Sequence, residues 1–112
     1  MEIKITSHAI RIIQISPLGR LSLAEAPSFG EMCRSQVDMG GLHFVLDMRD
    51  ITYIDSAGLS ELVNVLKYTR QHGGEVRLIL PLDPAVLAIF KLIRFDLVFT
   101  IISPDEIIPK GI

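Results

Sequence analysis

The chain has 112 residues, is 49% hydrophobic and carries 13 acidic against 11 basic side chains, a formal charge of −2. This balance excludes a disordered tail and a binder of nucleic acid or anionic membrane by bulk attraction. Cys33 is the only cysteine, which excludes an intramolecular disulfide and fits a reducing, cytoplasmic setting.

The length suits one domain over residues 1–112, without linker, repeat, secretory signal or apolar run of membrane-spanning length. Ile3 and Ile5, then Ile10, Ile12, Ile13 and Ile15, predict two early strands joined by a short turn at His8 and Ala9. Strands this close form an antiparallel hairpin. Pro17-Leu18-Gly19-Arg20 is expected to close the second strand, because proline lacks a ladder donor. A helix over 24–38 follows. Ser22 and Glu25 match a capping box, but Pro27 favours a start near Ala24 or Glu25, where its missing N–H costs little. Phe29 and Cys33 belong to the apolar side of that helix.

Leu42 to Met48 is a strand with little alternation, the pattern of a strand covered on both faces. Ile51, Tyr53 and Ile54 lead into the turn Asp55-Ser56-Ala57-Gly58. Leu59, Leu62, Val63 and Leu66 then mark one stripe of a long helix, stopped by Gly73-Gly74. Val76 to Leu80 is a strand. Asp83 caps a helix that opens on Pro84 and buries Phe90. Leu97 to Ile102 is expected as a final strand, and Ser103 to Glu106 as a capping box on barely one turn, ahead of Pro109 and Gly111. The fold class is therefore α/β: a mixed, mostly parallel sheet with an N-terminal antiparallel hairpin and helices packed against it.

The turn from Asp55 to Gly58 is the segment that invites a function. It joins a strand to the longest helix, and loops at the carboxyl ends of parallel strands commonly carry sites. Asp55 or Ser56 can cap the helix, and Gly58 allows close approach of the backbone. A phosphate on Ser56 would be tolerated by the helix N–H groups and dipole, so its effect would fall on a docked partner and not on the fold. A nucleophilic serine needs a base beside it. His8 lies in the hairpin turn, and His43 and His72 stand at the far ends of their elements. No metal-ligand spacing, phosphate loop or dinucleotide fingerprint is present. No catalytic residue, cofactor or metal site is expected. Lys67, Tyr68, Arg70 and Gln71 read as a solvated helix face or, alternatively, as the lining of a partner surface.

Ile54-Asp55-Ser56-Ala57-Gly58-Leu59, behind the strand Phe44-Val45-Leu46-Asp47-Met48, resembles the STAS domain of bacterial anti-sigma factor antagonists. The similarity continues through Gly73-Gly74-Glu75-Val76-Arg77-Leu78 and upstream to Gly19-Arg20-Leu21-Ser22. The resemblance implies a protein-binding module without enzymatic activity. Its partner would be an anti-sigma factor that is a serine kinase of the GHKL type, with a phosphatase reversing the modification. It implies Ser56 as the phosphoacceptor, and Ser22, Asp55, Ser56, Ala57, Gly58 and Leu59 as partner-binding positions. Three departures stand out: Ser22 where the family often has aspartate, no glycine near Phe95, and a last helix cut short by Pro109. Other proteins resembling this family are scaffold subunits of stress-sensing complexes or of lipid-transport ABC systems, the alternative role.

Overall fold

The computed structural model describes residues 1–8 and 12–108. In chain order the elements are β1 (Glu2–His8), β2 (Ile12–Leu21), α1 (Ala26–Asp38), β3 (His43–Asp47), β4 (Ile51–Ile54), α2 (Ser56–Gln71), β5 (Glu75–Ile79), α3 (Pro84–Leu92), α4 (Phe95–Val98), β6 (Thr100–Ile101) and a 3-10 turn over Pro104–Glu106. The sheet runs β1-β2-β3-β5-β6, with β4 joined to β2. β1 and β2 are antiparallel and the other pairs parallel, as the hairpin and the alternating pattern predict.

The apolar run in β3 is covered twice. Phe44 and Leu46 point into the main core with Phe29, Leu62 and Phe90, on the side of the helices. Val45 faces the other way, against Ile12, Ile79 and Ile102, with Ile107 of the C-terminal segment packed on them. Arg77 fastens that segment by donating to the carbonyl oxygens of Glu106 and Ile107 at 2.8 and 2.7 Å. Phe29, Phe90 and Cys33 are buried, as predicted, and burial pushes the Cys33 thiol up to about 12.

Caps set the helix boundaries. α1 begins at Ala26 with Pro27 in its first turn, the later start that Pro27 required. Asp83 accepts from the Ala85 and Val86 N–H groups at 3.0 and 3.1 Å, ahead of Pro84. The Ser103–Glu106 capping box forms. Pro109 and Gly111, like the Ala9 part of the predicted hairpin turn, lie outside the described residues.

Four expectations need correction. His8 is not a turn residue; it is the last residue of β1, paired with Ile12. β2 does not end at Pro17. It changes partners there, pairing with β3 over Ile12–Ile15 and with β4 over Gly19–Leu21. Pro17 sits in the gap between the two ladders, and Gly19 at φ +87° carries the irregularity. Ile51–Ile54, expected only as a lead-in, is the strand that uses the second half of β2. The last strand is the fourth case. Phe95 to Val98 is helical and only Thr100–Ile101 pairs, because one helical turn brings Phe95 and Phe99 to the same side. Phe95 stacks edge-on with Phe90 at 5.1 Å and with Phe99 at 5.2 Å.

α4 is entered through Arg94, a left-handed residue at φ 58° and ψ 48°. That conformation strains any residue with a Cβ, and an exposed bidentate contact to Asp96 at 3.1 and 3.2 Å offsets it locally. Arg94→Gly is expected to raise the thermal midpoint by a few degrees, since relief of the backbone outweighs a solvent-screened ion pair. A lower midpoint in a melting curve would show that the ion pair dominates.

Candidate functional site

β2 and β4 end side by side, with Leu21 opposite Ile54. This register places the segment after β2 against the first turn of α2. Asp55 is the extended residue between β4 and α2, at φ −119°. One carboxylate oxygen accepts the Gly58 N–H at 3.0 Å, and the other accepts the Leu23 N–H at 3.0 Å. A single side chain thus caps the helix and holds the neighbouring loop. The Gly58 N–H, joined by that of Leu23, keeps the Asp55 carboxyl below the usual carboxylate range. The cap is ionised at neutral pH.

Ser56 is the first helical residue and is exposed. Its hydroxyl has no hydrogen-bond partner among the described residues. It stands at the positive end of a sixteen-residue helix, where a negative group is favourable. Ala57 and Leu59 are half-buried and Gly58 is buried. A Cβ on Gly58 would lie 2.0 Å from the Leu21 carbonyl oxygen and 2.9 Å from Ile54 Cγ1. Glycine here is a packing requirement: it lets the helix start rest directly on the β2 backbone.

Ser22, the sixth predicted site residue, is buried. Its hydroxyl and its N–H both donate to Glu25 Oε1, at 2.5 and 3.0 Å. Only half of the expected capping box forms: Glu25 reaches back to the Ser22 N–H, but the Glu25 N–H donates to the Ser22 carbonyl oxygen and not to its hydroxyl, and α1 starts at Ala26 without a side-chain cap. The Ser22 hydroxyl, then its N–H, hold the Glu25 carboxyl below its ordinary value. So where the resembling family often carries a carboxylate at the Ser22 position, this chain brings one there from Glu25. The structure gathers Ser22, Asp55, Ser56, Ala57, Gly58 and Leu59 at one end of the sheet.

Sequence reasoning reached Glu25 only as the capping partner of Ser22, and missed Leu23 and the pair Arg20 and Tyr53. The Arg20 guanidinium lies 4.2 Å from the centre of the Tyr53 ring, and Leu23 is exposed beside the turn. The signal that would have found them is the β2–β4 pairing, which sets Arg20 opposite Tyr53. The helix face Lys67 to Gln71 is solvated at Lys67, Arg70 and Gln71. Tyr68 instead donates to Asp38 at 2.5 Å, tying α2 to α1, and Arg70 pairs with Glu75 at 3.0 Å. His72 is at the opposite end of α2, stacked on Tyr68 with ring centres 4.3 Å apart. His8 is bonded to Gln14 at 2.9 Å and His43 begins β3. None of the three is placed to activate Ser56. Among the described residues no helix is long and apolar enough to cross a membrane.

A family model described as STAS domain matches residues 2–106. BtrV of Bordetella bronchiseptica, named as a candidate anti-sigma factor antagonist, is 33% identical over 88 residues, spanning 79% of this chain and 75% of that protein. A candidate anti-sigma factor antagonist of Thermotoga maritima superposes with a TM-score of 0.82 at 23% identity, over 93% of this chain and 89% of the other. The Bacillus cell fate determinant SpoIIAA, in its phosphorylated form, superposes with a TM-score of 0.71 at 12% identity, over 94% and 95% of the two chains. The last two likenesses concern the fold.

Proposed function

The chain belongs to the STAS domain family, and from that premise we propose that it is an anti-sigma factor antagonist, a non-catalytic module that binds an anti-sigma factor through the Ser56 turn. The whole of residues 1–112 acts as one binding unit, in the cytoplasm, without cofactor or metal. The partner is a serine kinase. It docks over Ser22, Asp55, Ala57, Gly58 and Leu59, and transfers a phosphate to Ser56. A phosphatase removes it. One observation carries this reading: an exposed, unpartnered hydroxyl at the start of a long helix, whose surroundings are pinned by the two hydrogen bonds of Asp55.

The chemistry of a switch follows from that placement. A phosphoserine carries about −1.5 to −2 charges and three acceptor oxygens. At this helix start the dipole and nearby N–H groups accommodate the charge, so the fold persists. The Asp55 carboxylate stands next to it and the Glu25 carboxylate is held on the facing loop. The modified turn becomes strongly acidic, and a partner shaped for a neutral hydroxyl is repelled. The names of BtrV and of the Thermotoga protein, and the existence of SpoIIAA in a phosphorylated form, support the reading.

Incubation with the cognate anti-sigma kinase and ATP is expected to add one phosphate per chain, located on Ser56 by peptide mass spectrometry. Ser56→Ala takes up none. Phosphate on another residue, or undiminished uptake by Ser56→Ala, would overturn the assignment.

A further inference from the structure

β1 forms one edge of the sheet and is seven residues long, whereas β6 at the other edge has two. A long free edge is a template for another strand. Its side chains alternate. Ile3 and Ile5 pair with Pro17 and Ile15 on the side of the helices, while Glu2 and Lys4 point to the opposite face and are exposed. Met1 and Ile5 are 45% and 41% exposed, although both are apolar.

We propose that two copies of this chain associate through β1, antiparallel about a two-fold axis at Ile3. The register follows from charge. For the helices of both copies to lie on one side of a continuous sheet, facing residues must share parity. Centring on Lys4 stacks the two lysines. Centring on Ile5 sets Lys4 against Thr6. Centring on Ile3 sets Glu2 of each copy against Lys4 of the other, Ile3 against Ile3, and the exposed Met1 against the exposed Ile5. Opposite charges and apolar pairs directly across a ladder are favourable, and like charges unfavourable. Five residues from each copy make a small interface, well under about 1,000 Å². The dimer is weak and reversible, with Kd on the order of 100 μM.

Sedimentation equilibrium from about 10 μM to about 1 mM tests this. Wild type is expected to pass from monomer to dimer. Glu2→Lys and Lys4→Glu each turn two attractive pairs into two repulsive ones and weaken association about tenfold or more. Both side chains are exposed, so circular dichroism stays unchanged. The double variant Glu2→Lys/Lys4→Glu regains wild-type association, and an equimolar mixture of the two single variants forms a heterodimer. A monomer throughout the range, or association that either single variant leaves undiminished, overturns the proposal. Failure of the double variant to recover overturns the register.

Discussion

Replacing Gly58 by alanine is expected to lower the thermal midpoint by about 10 °C. Two effects oppose each other. Alanine favours a helix over glycine by about 1 kcal/mol. Against that, its Cβ would stand 2.0 Å from the Leu21 carbonyl oxygen, a backbone atom with a strand behind it. The Leu21 carbonyl cannot rotate away, so the start of α2 must lift off β2. Overpacking of this kind costs about 3 kcal/mol or more, and the steric effect wins. The displacement also pulls Gly58 N–H from the Asp55 carboxylate, which holds both the cap and the Leu23 loop. Stability and the shape of the proposed docking turn are therefore lost together. A melting curve of Gly58→Ala equal to wild type would show that the close approach is not required.

The second large effect lies on the other face of the sheet. The Asp47 side chain, 4% exposed, pairs with Arg49 at 2.7 Å. It also accepts from the Gln14 amide at 3.0 Å and the Ser16 hydroxyl at 3.4 Å. Burial pushes the Asp47 carboxyl up, but the Arg49 guanidinium, the Arg49 N–H and the Gln14 amide together bring it below its ordinary value. Removing one partner of a buried pair costs about 3–5 kcal/mol. Arg49 is 33% exposed, and water screens part of that. Arg49→Ala is expected to cost about 2 kcal/mol at pH 7, read as a lower urea midpoint.

The pH dependence has a definite sign. The folded carboxyl has the lower pKa, so its contribution is fully present above the unfolded value of about 3.9. It disappears as pH falls through the folded value. Wild type should lose stability on acidification below about pH 4. The gap between wild type and Arg49→Ala should narrow over the same range, because protonation removes what Arg49 contributes. Asp55, Glu25, Asp96 and Asp105 are also held low and are common to both proteins, so the difference reports on the carboxylates that face Arg49, Asp47 first and Asp50 after it. A gap of constant size would mean that Arg49 acts through packing instead.

These two sites show what the sequence made legible. Asp55, Ser56 and Gly58 were readable because a cap and a tight helix start are local chemistry, written in consecutive residues. α1 and α3 were placed by Pro27, Asp83 and Pro84 for the same reason. The apolar stripe of α2 was read as Leu59, Leu62, Val63 and Leu66, whereas the buried face is Gly58, Leu62, Val65, Leu66 and Thr69. Glycine and threonine carry no hydrophobic signal, so the stripe came out rotated. Asp47 is 33 residues from Gln14 and 31 from Ser16; their meeting depends on strand register, which no local pattern records. The same holds for Arg20 on Tyr53. The helical turn at Phe95 was hidden because Leu97 to Ile102 has strand composition, and the deciding contacts are those of Phe90, Phe95 and Phe99.

The proposed switch requires that charge on Ser56 act on the partner and leave the domain folded. Isothermal titration of the cognate anti-sigma factor with wild type and with Ser56→Asp measures this directly. Both proteins should show the same circular dichroism and closely similar melting curves, while the variant binds at least about tenfold more weakly, about 1.4 kcal/mol. Equal affinity of the two folded proteins would contradict the account.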